Sequence, residues 1–161
     1  MVELRLTLLG NCREGDGRPP MLEQILTAYL APGLTYGADR SSIAEFQRIR
    51  ARIVTEDNAL ARDLLRRHFG ESTRRFMYML ERALPDVPRS LLLWRYQTLI
   101  ATVVYAGSSW GTVHSAPGEE SDTDNSQALD YLVPLMAAMF RTPAHDQPTD
   151  ARGILASLME A

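Results

Sequence analysis

Pro85 and Pro88 divide the most regular stretch of this chain, Phe46 to Arg95, because neither proline tolerates helix-interior geometry. Before them, Leu60, Leu64, Leu65, Phe69, Phe76, Leu80 and Leu84 recur at helical spacing, as the inward stripe of one long amphipathic helix does. Gly70 lies inside that run; it weakens a helix by about 1 kcal/mol relative to Ala and marks a place for a local bend. After the prolines, starting at Ser90, the segment from Leu91 to Ala106 is apolar on almost every face, broken by Arg95, Gln97, Thr98 and Thr102. A helix of that kind must be covered on every face, and in a chain of 161 residues a second subunit can supply part of the cover. Ala101, Ala106, Gly107, Ser108 and Ser109 are small enough to let another helix approach closely.

Helical periodicity accounts for most of the remainder. Val2, Leu4, Leu6, Leu8 and Leu9 fit a helix or a strand; the lack of a capping residue favours a helix that begins upstream of Met1. The glycines and prolines of CREGDGRPP form a loop. Pro20 opens a helix carrying Leu22, Ile25, Leu26, Tyr29 and Leu30 on one face, and Pro32-Gly33 ends it. Asp39 or Ser41 caps the next, with Ser42 and Glu45 placed as a capping box and Ile43, Phe46, Ile49 and Ile53 as apolar positions. Gly111 to Ser126 is a loop rich in Gly, Ser and acid. From Gln127 to Arg141, Leu129, Leu132, Val133, Met136, Met139 and Phe140 form one stripe. Pro134 within it costs about 3 kcal/mol if internal, so the helix is kinked there or starts near Leu132. Residues 142–161 read as a linker followed by a short amphipathic helix, Arg152 to Glu160, which leaves 1–141 as the main domain.

A net charge of −3 does not suggest a nucleic-acid-binding surface. The 17 basic residues are all arginine; Arg48, Arg50, Arg52, Arg62, Arg66, Arg67, Arg74 and Arg75 lie among Glu45, Glu56, Asp63, Glu71 and Glu81 at spacings that allow pairing along helices. They read as a solvated, ion-paired face. Cys12 is the one cysteine, so no internal disulfide forms and a reducing, cytoplasmic compartment is the expectation. No apolar run reaches the roughly 18–20 residues that span a bilayer. His68, His114 and His145 lack the spacing of a metal site, and no nucleophile elbow, phosphate loop or HExxH motif occurs. His68, beside Phe69, reads as a partly buried core or pocket residue. Catalytic residues, metal ligands and cofactors are not expected. Met77, Tyr78, Met79, Trp94, Tyr96 and Tyr105 fit either plain helical core or an adaptable apolar wall with polar tips.

Four stretches carry a resemblance: ILTAYLAPGL, FQRIRARIVTED, LLRRHFGESTRRFMYMLERALPDVP and LLLWRYQTLIATVVYA. Over about Leu22 to Arg141 the chain resembles the C-terminal effector-binding and dimerisation domain of TetR-type transcriptional repressors. The resemblance implies an all-α, helical ligand-binding domain that pairs as a homodimer, with Ser90–Trp110 and Gln127–Arg141 forming a four-helix bundle with their mates. On that basis Phe46, Phe76, Met77, Leu80, Trp94 and Thr98 are expected to line a cavity for a small, mainly apolar effector, with Trp94 as a stacking wall. Tyr96, Ile100, Val103, Val104, Leu132, Met136 and Met139 are expected at the dimer interface. Operator DNA would be reached only through an N-terminal helix-turn-helix that does not precede Val2 here, either because the chain is cut from a longer protein or because it is a natural remnant. No membrane partner is implied. The rival readings are a helical protein-interaction and dimerisation module without a small-molecule ligand and, further off, a small helical enzyme.

Overall fold

The structure, a computed structural model, describes residues 2–12, 20–34, 45, 49, 52, 59–109, 127–143 and 150–159. Among these are six continuous helices and no strand: α1 (Val2–Asn11), α2 (Leu22–Leu34), α3 (Ala59–Ala83), α4 (Arg89–Ser109), α5 (Ala128–Arg141) and α6 (Ala151–Met159). The fold is all-α. The expected positions Asp39, Ser41, Ser42, Ile43, Phe46 and Ile53, the 111–126 loop, His114 and His145 lie outside the described residues. Ile49, read as an inward position, is helical but exposed.

The most fully covered helix is α2 rather than α4, with only Gln24 and Thr27 of its residues exposed. It packs against α1, α3, α4 and α5, and Leu22, Ile25, Leu26, Ala28, Tyr29, Leu30 and Leu34 are all buried. Of TAYLAPGL only Thr27 is exposed, and a stretch packed among four neighbours carries no charge. The expected stop at Pro32-Gly33 comes two residues early. Pro32 withholds a single backbone N–H, that aimed at Ala28, and the last turn persists because Leu34 is buried in the core.

The long helix before the prolines is present as α3, and Leu84 to Pro88 form the turn into α4, with the Val87 amide donating to the Leu84 carbonyl at 3.1 Å. Gly70 lies within continuous helix, with open space where a side chain would stand. The inward stripe is buried only in its second half. Phe76 and Leu80 are fully buried, whereas Leu60 and Leu64 are exposed, because among the described residues α1, α2 and α4 cover α3 only from about Ser72 onward. In α5 the stripe stands as expected: Leu132, Met136 and Phe140 are buried, and Leu129, Val133 and Met139 pack at its edge. Pro134 is internal to continuous helix and exposed, so the one backbone bond it forgoes is on the solvent side. Every residue of α6 is exposed. Its start is capped by Asp150, whose Oδ1 accepts from the Gly153 amide at 2.9 Å.

Candidate functional site

Three rings from three helices meet at the centre of the protomer. Tyr29 of α2 and Phe76 of α3 stand with centroids 4.3 Å apart, and Tyr96 of α4 lies 5.8 Å from the first and 5.6 Å from the second. The Tyr29 and Tyr96 hydroxyls are 2.9 Å apart, and Thr73 Oγ1 lies 2.8 Å from the Tyr96 hydroxyl. Each hydroxyl thereby keeps a partner inside an apolar core, as buried polar groups require. Arg5 closes the far side: its Nε donates to the Tyr29 carbonyl at 3.0 Å, and its guanidinium lies 4.1 Å over the Tyr29 ring. Arg5 is fully buried, a placement that the apolar positions of α1 did not announce. The signal was its spacing, four residues before the equally buried Leu9 on the same face.

Of the expected cavity residues, Phe76, Met77 and Leu80 come together on the inner face of α3, all buried. Phe46 lies outside the described residues. Trp94 and Thr98 do not join them. They sit one turn apart on the outer face of α4, Trp94 is 70% exposed, and the Thr98 hydroxyl donates to the Trp94 carbonyl at 3.3 Å. The inner face of α4 is taken by Leu92, Arg95, Tyr96, Leu99 and Val103.

The expected interface set is redistributed in the same way. Tyr96, Val103, Leu132 and Met136 are buried inside the protomer and have no surface to offer a partner; Ile100, Val104 and Met139 are half-buried. The outward apolar residues are instead Leu93, Trp94 and Tyr105 on α4, with Tyr131 (64% exposed) and Leu135 (59% exposed) on α5. The apolar pattern marked both faces of α4 as alike, and periodicity alone did not say which would turn inward. His68, expected to be partly buried, is exposed, because the first half of α3 lacks a covering helix among the described residues.

Two contacts tie α5 in place. Arg95, buried in α4, donates from Nη1 to the Phe140 carbonyl at 2.8 Å and from Nη2 to the Thr142 carbonyl. A cation there meets the negative end of the helix and the carbonyls that lack helical partners. Burial pushes the Arg95 pKa down, yet a guanidinium stays charged throughout the range in which a protein folds. At the same end, Arg141 and Glu23 of α2 form an ion pair at 2.6 Å, whose hydrogen bond holds the Glu23 carboxyl below the usual carboxylate range.

Two grooves flank α1. One, of about 670 Å³, lies between the end of α1 and α3 and is bordered by Leu9, Gly10, Cys12, Glu71, Arg74, Arg75, Tyr78 and Met79. The other, of about 410 Å³, runs between α1 and α2 past Leu8, Asn11, Cys12, Glu23 and Thr27. Cys12 belongs to both; its thiol donates to the Leu8 carbonyl at 3.4 Å, and burial raises its pKa. Part of the arginine face is ion-paired as expected, Asp63 meeting Arg67 at 2.5 Å and Arg66 at 3.8 Å. Arg74 and Arg75 form no ion pair with any described residue. Sequence spacing put Glu71 within reach of both, and the structure leaves it apart from them.

Among the described residues no group of His, Cys, Asp and Glu side chains could hold a metal ion, and no helix is long and apolar enough to cross a membrane. No curated protein and no solved structure matches the chain. A family model does match, that of the tetracyclin repressor-like C-terminal domain, over residues 27–139. That span takes in the aromatic centre, the whole of α3 and α4, and α5 up to its last turn. With an all-α fold and most of its length inside the match, the chain belongs to the tetracyclin repressor-like C-terminal domain family, whose members are domains of regulators rather than enzymes.

Proposed function

We propose that this chain is the effector-sensing and dimerisation half of a TetR-type transcriptional repressor. In this reading it works in the cytoplasm as a homodimer, takes up a small, mainly apolar effector, and thereby modulates operator binding by an N-terminal helix-turn-helix. The effector acts through unequal affinity for the DNA-competent and DNA-incompetent arrangements.

The observation that carries the reading is the outward face of α4 and α5. Leu93, Trp94 and Tyr105 stand on one helix and Tyr131 and Leu135 on the next, all exposed although the opposite faces of the same helices fill the core. Two adjacent helices with apolar outer stripes suit a twofold contact in which a mate supplies the other half of a four-helix bundle. Ala101, Pro134 and Ala138 on the same faces are small enough to let backbones approach. Residues 1–141 form the sensing and pairing domain in this proposal, and 142–161 its linker and terminal helix.

Sedimentation equilibrium tests it. The wild-type chain runs as twice 18.0 kDa, and Trp94→Glu with Leu135→Glu runs as a monomer of unchanged helicity. A wild-type monomer removes the dimer, and a double variant that still pairs removes the outer face of α4 and α5 as its interface.

One finding favours the second reading, a dimerisation module without a ligand. Phe76 and Leu80 are fully buried among close neighbours, so a ligand beside them has to select an arrangement in which those side chains part. A thermal scan against apolar compounds separates the readings, since the module shows no shift.

A further inference from the structure

The groove between α1 and α3 offers what the packed centre does not, a space already open at about 670 Å³, within the range of small-ligand sites. We propose that it is the effector site, and that it takes an amphiphile with one anionic oxygen head group and an apolar tail. This rests on the sensor reading above and deepens it.

The floor is apolar. Leu9 and Met79 close it from below, almost wholly buried, and the exposed Tyr78 ring and the half-buried Cys12 thiol, whose pKa burial raises, add a wall that a ligand can reach. The edge is cationic. Arg74 and Arg75 are adjacent on α3, exposed, and without an ion pair among the described residues, while Asp63 takes up Arg66 and Arg67 one helix segment earlier. Counting Glu71, the charged residues bordering the groove sum to +1, against −3 for the whole chain. Local charge thus opposes the protein's own field and favours an anion at this one place. Guanidinium groups suit the task, because their planar donors match carboxylate and phosphate oxygens in pairs. Gly10 keeps the groove open: a Cβ there would stand 3.7 Å from Arg75 Nη2, so a longer side chain would extend into the space the arginine borders.

The head group follows from the arginines and the tail from the wall. A wholly apolar ligand would leave the guanidinium groups unused, and an inorganic anion would leave the apolar wall of Tyr78 and Cys12 bare. The site therefore asks for both in one molecule.

The test is calorimetric titration of decanoate, decyl phosphate and decanol into the 161-residue chain, with sedimentation of the same samples. Wild type is expected to bind at least one of the two anions about tenfold more tightly than the alcohol, and the tighter anion identifies the head group. Arg74→Gln with Arg75→Gln, both on the surface, is expected to bind anion and alcohol alike. Gly10→Leu, which improves helix propensity, is expected to bind none of them while melting no lower than wild type. Equal binding of anion and alcohol by wild type, a preference that survives loss of both arginines, or no uptake of either anion overturns the groove site and leaves the dimeric sensor standing. Arginine-dependent anion binding by a chain that is monomeric throughout upholds the groove and removes the dimeric sensor.

Discussion

Arg95 and Phe140 are 45 residues apart in sequence, yet the Arg95 guanidinium sits 2.8 Å from the Phe140 carbonyl and closes the end of α5 from within the core. The contact ties the C-terminal end of α5 to α4. Arg95→Met keeps the stem and removes the donors, leaving carbonyls in a buried place without partners. The expected loss is about 2 kcal/mol, a fall in Tm of about 4–8 °C for a domain of this size. A Tm within 1 °C of wild type, read by circular dichroism, would show that water replaces the guanidinium at no cost (about 1 °C being well under the shift a buried contact produces).

Tyr96→Phe removes the hydroxyl that links Tyr29 to Thr73. Packing changes little, so the loss is that of the buried Tyr29 hydroxyl and the half-buried Thr73 hydroxyl deprived of a partner, about 1–3 kcal/mol. Tyr29→Phe combined with it should cost less than the sum of the single changes, since neither hydroxyl is left to be unsatisfied by the other. A denaturant double-mutant cycle measures the coupling.

Met136→Ala and Trp94→Ala separate core from interface. Met136 is buried in the protomer, so truncation should cost about 2–5 kcal/mol of stability and leave the dimer dissociation constant nearly unchanged at temperatures where the fold holds. Trp94 is exposed, so its truncation should leave protomer stability nearly unaltered and weaken pairing, by about 2 kcal/mol if it is a hot spot. Equal effects of the two on pairing would return Met136 to the interface.

The Glu23–Arg141 pair gives stability a defined pH response. The Glu23 pKa is lowered in the folded chain, first by the hydrogen bond from Arg141, so the folded state binds the proton less readily than the unfolded one. Its contribution is present above the usual carboxylate pKa and fades as pH falls through the lower folded value. The pair is partly exposed, and at most about 1 kcal/mol is at stake. Glu23→Gln should therefore lower Tm slightly at pH 7, the difference shrinking toward pH 3 and in high salt.

Periodicity was enough to place α2, α3, α4, α5 and α6, because each has a repeated apolar spacing and a proline, glycine or cap near an end, whereas the short apolar run of α1 fitted a strand as well. It misjudged what covers what. Leu91 to Ala106 reads as apolar on every side, yet the inner and outer residues of α4 differ in fate by neighbours that no local window contains. Leu132 and Met136 were legible as a stripe but not as a stripe facing inward. Arg5 and Arg95 were the harder cases, because their partners are the Tyr29 and Phe140 carbonyls, and a backbone acceptor leaves no mark in a sequence. The groove by α1 was illegible for the same reason: Gly10 and Arg75 become neighbours only when α1 lies across α3.

Cys12, the sole thiol in the chain, borders both grooves beside α1. A single environment-sensitive dye attached there would report on occupancy of either space with no engineered residue, and alkylation becomes a footprint of whatever fills them. Because burial raises the thiol's pKa, labelling should be slow near neutrality and quicken in alkaline buffer, so that reaction rate itself reads how tightly α1 stays closed over its neighbours.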